Sequence, residues 1–430
     1  MRKVVTNLVV TIATLLIVGC GSSSDPGEIV TQEEIKNGKL IADFPANILK
    51  STLLEQGAIT PEQTVFGFKA YKIPYITKDA NGKDVNASGV MVVPSSLGCD
   101  ENTTKNLELM KQIGLATVVD CHGTIFSNQE APSVEMETTS EPAGAAVILS
   151  SLSGFITLQP DYIGFGDSKK HPQEYLIEKS SSTAVVDFIK AAQKFAKDNN
   201  IKWVESNQMY LTGYSQGGFV ATAALEDIEK ENFNLRLAAP MAGPYLLDPI
   251  AQGVLAQDNI EVPSFMAATA NSYSIVYKQD IKELIQEPYA SKLSTIFDGS
   301  LTREEIDKEL TTKVKGDDGL FSDELVANYD TSWFRLELLN NSVVDFSPKT
   351  PIKLLHCLGD DVIPYQISEV TRDVFNDQLG ATYVDLTPIE VAITQDPETS
   401  MRLGHAECGV YAYSVVAHIF AEDRKNSLGY

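Results

Sequence analysis

The stretch Gly213-Tyr214-Ser215-Gln216-Gly217 decides the expected fold of this chain of 430 residues. It follows the apolar run Met209–Thr212 and precedes a helix-like pattern from Gly218 to about Glu229. A Gly-x-Ser-x-Gly sequence between a strand and a helix forms a sharp turn that presents the serine hydroxyl above the edge of a sheet. Glycines suit that turn, because larger side chains would clash where strand and helix approach each other. The pattern predicts Ser215 as a nucleophile, with a purely structural glycine-rich turn as the alternative.

Short apolar runs and helical patterns alternate on both sides of this turn. The runs are Leu115–Val119, Phe155–Leu158, Met209–Thr212, Leu237–Ala239 and Ile352–Leu355. Apolar residues recur at helical spacing most clearly over Ser182–Lys197. Upstream, Val65–Thr77 and Val85–Val93 flank an Asn81-Gly82 turn signal and predict a hairpin. Buried strands that alternate with helices predict an α/β fold, with a mainly parallel sheet and helices on both faces.

The segment from about Pro244 to Asp345 interrupts this alternation. It is richer in helix formers and in charge, and it separates strands that would otherwise follow each other closely. Such an insertion is typical of a substrate-gating lid. The predicted organisation is therefore a core made of residues 61–243 and 346–430, with a helical lid over residues 244–345.

The N-terminus carries an export signal rather than part of the fold. Met1–Lys3 is basic, and Val4–Val18 is apolar but too short to span a bilayer comfortably. Leu16–Cys20 resembles a bacterial lipobox, which predicts that residues 1–19 are removed and that Cys20 is acylated. The alternative is an ordinary signal peptide that contains a cysteine.

Residues 20–60 are expected to be a flexible tether followed by an N-terminal extension, since Gly21–Gly27 is rich in glycine and serine. This reading places the protein in the cell envelope, anchored to the membrane by its lipid and facing the periplasm or the exterior. Gly21 lacks the aspartate associated with inner-membrane retention in some Gram-negative bacteria, which favours the outer membrane.

Composition and cysteine content narrow the possible partners. The formal net charge of -24 argues against a nucleic-acid partner. No spacing of cysteine or histidine indicates a metal site. The four cysteines after Cys20 leave three disulfide pairings open. Cys357 and Cys408 are candidate neighbours, because each lies within a few residues of Asp360 or His405, the expected acid and base of the site.

A serine nucleophile needs a base and an acid that orients the base. His405 is the histidine that completes the chain order serine, acid, base, while a loop histidine of purely structural role is the alternative. Asp360 follows a strand that ends at His356, at the sheet edge where α/β folds place their sites. Asp360 is the expected acid, with Asp361 as its rival and a helix cap or turn as the structural alternative.

Backbone donors for a developing oxyanion come from two turns. His122-Gly123-Thr124 follows the Leu115–Val119 strand, and a His-Gly turn at this place supplies one amide. The second comes from the residue after the nucleophile. The expected donors are therefore the amides of Thr124 and Gln216, while His122 shapes the loop.

Together these motifs resemble the serine hydrolases of the α/β-hydrolase fold, and most of all the bacterial secretory-lipase and carboxylesterase-like group. The resemblance runs from about residue 65 to 425 and adds the segment Pro160–Ser168, which matches the family's strand-end loop. It implies that this segment shapes the wall of the site and that Asp161 holds it in place. Cys357 stands where the family's acid motif often has glycine.

With the lipobox-like N-terminus, the resemblance implies an exported, lipid-anchored serine hydrolase that cleaves small-molecule or lipid carboxylic esters through an acyl enzyme, with no cofactor. An exopeptidase or amidase on the same fold is one alternative. For that activity, acidic lid residues would be expected to bind a free amino terminus, the candidates being Glu283, Glu287, Glu304 and Glu305. The other alternative is a catalytically silent surface lipoprotein that binds a ligand.

Overall fold

A sheet of nine strands runs through the part of the chain that the computed structural model describes, which is residues 31, 33, 37–138, 144–203, 208–231, 233–378, 380 and 383–430. The strands are β1 (Lys39–Phe44), β2 (Gly67–Lys78), β3 (Asp84–Ser95), β4 (Thr117–Cys121), β5 (Ile156–Pro160), β6 (Met209–Tyr214), β7 (Leu235–Met241), β8 (Ile352–His356) and β9 (Val384–Pro388). They lie in the order β1-β2-β3-β5-β4-β6-β7-β8-β9. The first three strands and the β3–β5 pair are antiparallel, and the pairs from β5 to β9 are parallel.

The helices connect these strands and extend beyond them. Those before the serine turn are α1 (Ala46–Glu55), α2 (Glu101–Ile113), α3 (Pro132–Thr138), α4 (Gly144–Ala146, continued by a π-helix over Val147–Leu152) and α5 (Glu178–Asp198). Those from the turn to β8 are α6 (Gln216–Lys230), α7 (Leu247–Ala256), α8 (Pro263–Tyr277), α9 (Leu293–Ile296), α10 (Arg303–Glu309), α11 (Asp323–Asn328) and α12 (Trp333–Asn340). The last are α13 (Tyr365–Asp377), α14 (Ile389–Thr394) and α15 (His405–Leu428).

Neighbouring residues of the central strands enter different hydrophobic clusters, as a period of two requires. In β6, Leu211 packs in a cluster with residues of α5 and α6, whereas Tyr210 packs with residues of α15 such as Phe420. Both residues of β6 are fully buried. The expected parallel sheet with helices on both faces is therefore confirmed.

Two strands at opposite edges of the sheet have no clear signal in the sequence. β1 lies within the predicted N-terminal extension, pairs with β2 and leaves most of its residues partly or fully exposed, so it lacks an apolar run. β9 has the same weakness, since only Val384 is buried along its length. Edge strands bury less side-chain surface and depend on backbone pairing with their neighbour.

The parallel strands bring the important loops to one edge of the sheet. β4 ends at Cys121 before His122, β6 ends at Tyr214 before Ser215, and β8 ends at His356 before the Asp360 loop. Since the carboxyl ends of parallel strands face the same way, these loops converge. The segment between β7 and β8 contributes α7 to α12.

Candidate active site

The turn after β6 holds Ser215 in a backbone conformation that few residues adopt. Its φ and ψ are 58° and -122°, and φ values in this range are strained for residues other than glycine. Close packing explains the glycine at 217, where a β-carbon would lie 1.9 Å from the carbonyl oxygen of Cys121 at the end of β4. The sequence thus pins the serine between β4, β6 and α6.

His405 reaches the serine from the first turn of α15. Its Nε2 lies 2.8 Å from Oγ of Ser215. The hydroxyl of Tyr214 donates to the backbone carbonyl oxygen of His405 at 2.7 Å, which fixes the start of the helix next to the serine turn. An imidazole in this position can take the hydroxyl proton of the serine.

Asp360 lies on the far side of the same imidazole. Its Oδ2 is 2.7 Å from Nδ1 of His405, and its side chain is fully buried. Asp361 approaches the histidine differently, since its Oδ1 accepts a hydrogen bond from the backbone N–H of His405 at 2.8 Å. Of the two candidate acids, Asp360 is therefore the one beside the ring.

A second histidine binds the same carboxylate oxygen. Nε2 of His356 lies 3.2 Å from Oδ2 of Asp360 and 3.0 Å from the carbonyl oxygen of Ile363. Its Nδ1 lies 2.7 Å from Oγ of Ser368, so that hydroxyl can donate to Nδ1 and leave Nε2 as the N–H donor. Burial alone would raise the pKa of Asp360, but hydrogen bonds from His356 and His405 hold it well below its usual value.

The acid loop and the base helix are tied together at several points. A disulfide joins Cys357 to Cys408, with 6.0 Å between their Cα atoms, so the pairing left open by the sequence brings these two together. The buried carboxylate of Glu390 accepts backbone N–H groups from both sides, at 2.9 Å from Leu358 and at 3.1 Å from Leu403. These ties limit how far Asp360 and His405 can separate.

The loop after β4 lies against the serine turn. A β-carbon added at Gly123 would lie 3.9 Å from Cβ of Ser215, and Gln216 lines the same cavity as the serine. The hydroxyl of Thr124 is 2.8 Å from the hydroxyl of Tyr175, which also lines that cavity. The two expected oxyanion donors therefore belong to turns next to Ser215.

His122 is placed as a loop-shaping residue rather than as a proton carrier. Its ring stacks on Tyr162 at 3.9 Å between centroids, and its nitrogens face the carbonyl oxygens of Gly123 and Asp161. Burial lowers the pKa of His122 to about 4, which keeps the imidazole neutral near pH 7.

Asp161 organises the loop that follows β5. Its carboxylate accepts hydrogen bonds from the hydroxyls of Ser88 and Ser133 at 2.5 and 2.6 Å, and from the backbone N–H of Ser133 at 2.8 Å. Burial raises the pKa of Asp161 to about 6, against the effect of these bonds. These contacts are those of a residue that holds its loop in place, the role that the family resemblance implies for Asp161.

A cavity of about 620 Å³ opens at Ser215. Most of its lining is apolar and comes from the segment between β7 and β8, including Leu247, Ile250, Ala251, Val254, Ile260, Val262, Phe265 and Met266. Its volume and mostly apolar lining are those of a small-molecule site, and its polar side chains include Gln257, Asn259, Glu261 and Asp361. It can hold an apolar chain with one end at the serine hydroxyl.

The sequence did not reveal every residue that builds this site. His356 has no sequence signal beyond its place at the end of a strand, and its contact with Asp360 depends on the loop folding back by four residues. Glu390 has no motif and gave no signal. Cys20 and the export signal lie outside the described residues. None of the helices in the described ranges combines the length and apolar character needed to cross a membrane.

Comparisons with known proteins show the family and the fold. The sequence model of the secretory lipase family matches residues 132–394. No curated protein matches the chain. A hydrolase structure from Legionella pneumophila, described as putative, is similar with a TM-score of 0.75 and 20% identity, covering 90% of this chain and 97% of the other.

Two further solved structures share the fold at lower identity. The rice cell wall degrading esterase LipA from Xanthomonas oryzae is 18% identical with a TM-score of 0.71, covering 94% of this chain and 98% of the other. Candida antarctica lipase A in its closed state is 12% identical with a TM-score of 0.55, covering 90% and 91%. Both extend the structural likeness over nearly the whole length of each chain.

Proposed function

Because the chain belongs to the secretory lipase family and is a hydrolase of the lipase and esterase type, we propose that it cleaves carboxylic esters with Ser215, His405 and Asp360 as a catalytic triad. One observation carries this proposal. The hydroxyl, the imidazole and the carboxylate form a continuous hydrogen-bonded chain, at 2.8 and 2.7 Å, at the mouth of an apolar cavity.

In the proposed reaction Oγ of Ser215 attacks the ester carbonyl carbon while Nε2 of His405 takes the hydroxyl proton. Asp360 holds the imidazole in the correct tautomer and stabilises the imidazolium. The backbone N–H groups of Thr124 and Gln216 stabilise the oxyanion, where loss of one donor typically costs about 10²–10³ in rate. The alcohol leaves with the proton from His405, and a water molecule then releases the acyl group by the same steps.

The proposed domain organisation makes residues 244–345 the cap over this cavity, with residues 61–243 and 346–430 as the core and residues 20–60 as tether and extension. Support comes from the lining, since Leu247, Val254 and Phe265 all belong to that segment and face the same space as Ser215. A long acyl chain would contact this apolar wall, so chain length should change KM more than kcat.

The apolar lining of the cavity and the contacts of the lid carboxylates favour an esterase over an exopeptidase. A peptidase of this fold would use lid carboxylates to bind the substrate ammonium. The four candidates bind other partners, while Glu261 of the same segment lines the cavity. They receive hydrogen bonds from Trp333 (Glu283), Lys282 and Ser291 (Glu287), Arg303 (Glu304) and Thr302 (Glu305). A silent binding scaffold is disfavoured because ligand binding gives no reason for a hydrogen-bonded serine, histidine and aspartate.

A p-nitrophenyl ester series of increasing acyl length, with a panel of aminoacyl anilides, tests this function. Wild type should turn over the esters and react with a fluorophosphonate, whereas Ser215→Ala should lose about 10⁴-fold or more in kcat and remain unlabelled. Ser51→Ala changes an exposed serine of α1 and serves as the matched control. Rapid anilide cleavage with negligible ester turnover would replace the esterase by the peptidase, and an inert wild type would favour the binding scaffold.

Export and anchoring are proposed on sequence grounds. The lipobox-like Leu16–Cys20 supports removal of residues 1–19 and acylation of Cys20, with the outer membrane as the favoured location in a Gram-negative host. Metabolic labelling with a palmitate analogue should mark the wild type and not Cys20→Ser. Equal labelling of the two, or a wild type found only in the soluble fraction, would contradict the anchor.

A further inference from the structure

Three side chains that can bind a metal meet outside the active site. Asp79 lies in the turn between β2 and β3, and His171 and Glu174 lie in the segment that leads to α5. One ligand atom from each of the three lies within 4.8 Å of the others. The sequence predicts no metal site, because these residues are far apart along the chain and follow no ligand spacing.

The orientation of His171 prepares one of its nitrogens for a cation. Its Nδ1 is 2.9 Å from the carbonyl oxygen of Pro172, so in the neutral ring Nδ1 carries the hydrogen and the lone pair lies on Nε2. Metal-binding histidines usually donate their other ring N–H in this way. Nε2 lies 3.5 Å from Oδ2 of Asp79. Two acceptors that face each other at this distance are stabilised by a cation between them.

The carboxylates are also arranged so that each has an oxygen directed to the cluster. Asp79 is 6% exposed, and its Oδ1 accepts from the backbone N–H of Lys83 at 2.8 Å, so Oδ2 is the oxygen next to the imidazole. Glu174 is 9% exposed, and its Oε2 accepts from the backbone N–H of Ala80 at 3.0 Å. The neighbouring ammonium, on Lys179, donates to the carbonyl oxygen of Ala80 at 3.0 Å.

A small cavity lies beside Glu174. Ser180 is 3% exposed, and its hydroxyl lies beside the carboxylate of Glu174. Ser180 and Glu174 both line a cavity of about 10 Å³, which is close to the space that one water molecule occupies.

We propose that Asp79, His171 and Glu174 bind one Zn²⁺ ion, with water as the fourth ligand. Tetrahedral ligand atoms about 2.1 Å from zinc are roughly 3.4 Å apart, and the 3.5 Å between Nε2 of His171 and Oδ2 of Asp79 fits that spacing. One imidazole with two carboxylates suits zinc. Calcium needs six to eight oxygen ligands, and magnesium retains most of its water.

The ion would stabilise a segment that lines the substrate cavity. It joins the β2–β3 turn to the segment that ends in Tyr175, which lines the cavity and whose hydroxyl is 2.8 Å from that of Thr124. Thr124 carries one of the proposed oxyanion donors. The zinc is therefore structural, and it stabilises the loop against which the substrate binds.

A titration of chelator-treated protein with ZnCl₂ tests the site. Calorimetry and metal analysis measure binding, and thermal unfolding measures its effect on stability. Wild type should bind one Zn²⁺ per chain and show a raised Tm. His171→Ala and Asp79→Asn should each bind at least about tenfold more weakly, with little or no rise in Tm. His418→Ala removes an exposed histidine that lies 3.3 Å from Glu422, and it should behave as wild type.

Three outcomes would overturn the site. The first is a wild type that leaves zinc unbound. The second is binding that persists in both His171→Ala and Asp79→Asn, which would place the ion elsewhere, for example at His405. The third is binding that is lost in His418→Ala, which would identify surface binding. Because metal content and Tm are the readouts, the result does not depend on ester hydrolysis.

Discussion

Asp360 and Asp361 are neighbours in sequence but bind different atoms of His405. Asp360 binds the ring at Nδ1, while Asp361 accepts the backbone N–H. We expect Asp360→Asn to lower kcat/KM by about 10⁴-fold, because an amide no longer fixes the tautomer or stabilises the imidazolium. Asp361→Asn keeps an oxygen that can accept the backbone N–H, so its loss should stay within about tenfold. Initial rates of both variants on one p-nitrophenyl ester measure these losses, with circular dichroism as the folding control. A larger loss in Asp361→Asn than in Asp360→Asn would assign the acid to Asp361.

His356 is a positioning residue for the same carboxylate. Replacing it by phenylalanine keeps a ring but removes the N–H that binds Oδ2 of Asp360, whereas glutamine retains a donor. Loss of a hydrogen bond to a buried charge costs about 1.5–3 kcal/mol, so His356→Phe should lower kcat by about 10- to 100-fold with little change in KM. His356→Gln should recover part of the loss.

The linkage to pH gives His356 a second readout. A carboxyl whose pKa is lowered in the folded state stabilises the protein above its unfolded pKa, and this stability is lost as pH falls through the folded pKa. Without His356 the pKa of Asp360 moves back toward its usual value, so acid unfolding of His356→Phe should begin at a higher pH. A variant whose KM rises while kcat and the acid transition stay at wild-type values would reduce His356 to packing alone.

Among the larger elements, the acid loop and α15 depend on each other for their relative position. The disulfide between Cys357 and Cys408 closes a separation of 51 residues, three positions from Asp360 on one side and three from His405 on the other. The double variant Cys357→Ser and Cys408→Ser should lower the free energy of unfolding by about 2–4 kcal/mol. It should also lower kcat, since the acid and the base can then drift apart.

Urea unfolding under oxidising conditions and initial rates measure both effects. Cys99→Ser is the matched control, because Cys99 is a free cysteine that takes no part in the disulfide. Dithiothreitol should shift the wild type towards the double variant and leave the double variant unchanged. Equal stability of the double variant and the wild type would show that Glu390 and the packing of α15 suffice to hold the loop.

The elements with strong apolar runs are also the ones that the sequence predicts well. β4 to β8 are buried over most of their length, so their patterns are clear and their predicted bounds shift by only a few residues. α15 begins at His405, and its first turn is specified by tertiary contacts with Tyr214 and Asp361 rather than by an apolar pattern. Local pattern cannot report such contacts.

In the candidate site, too, the sequence predicts the residues that have a local signature and misses those that depend on tertiary contacts. Ser215 has a local signature because its turn requires glycines, whereas His405 could be selected through chain order within the fold. His356 and Glu390 act through hydrogen bonds to backbone and side chains that are distant or folded back, so no spacing reveals them. Which of Asp360 and Asp361 faces the ring depends on the conformation of one loop, and the sequence leaves that open.

For the whole molecule, buried carboxyl groups and the negative net charge both lower the free energy of unfolding as pH rises. Burial raises the pKa of Asp120 and Asp161 to about 6, and that of Glu135 and Glu178 to about 7. The formal charge of -24 adds repulsion as further carboxyl groups ionise. Because unfolded carboxyl groups titrate near pH 4, the folded state holds more protons than the unfolded state between about pH 4 and pH 7.

We therefore expect the free energy of unfolding to fall as pH rises from about 4.5 to about 7.5, with each raised group contributing at most about 1.4 kcal/mol per pH unit. Urea unfolding across this range measures the slope. Glu135→Gln removes one such group and should flatten the slope, whereas Glu108→Gln removes a carboxyl group that is 55% exposed and should leave it as in wild type. Stability that rises with pH over this range, or equal slopes in the two variants, would mean that these carboxyl groups are hydrated in the folded protein and that their burial does not govern its response to pH.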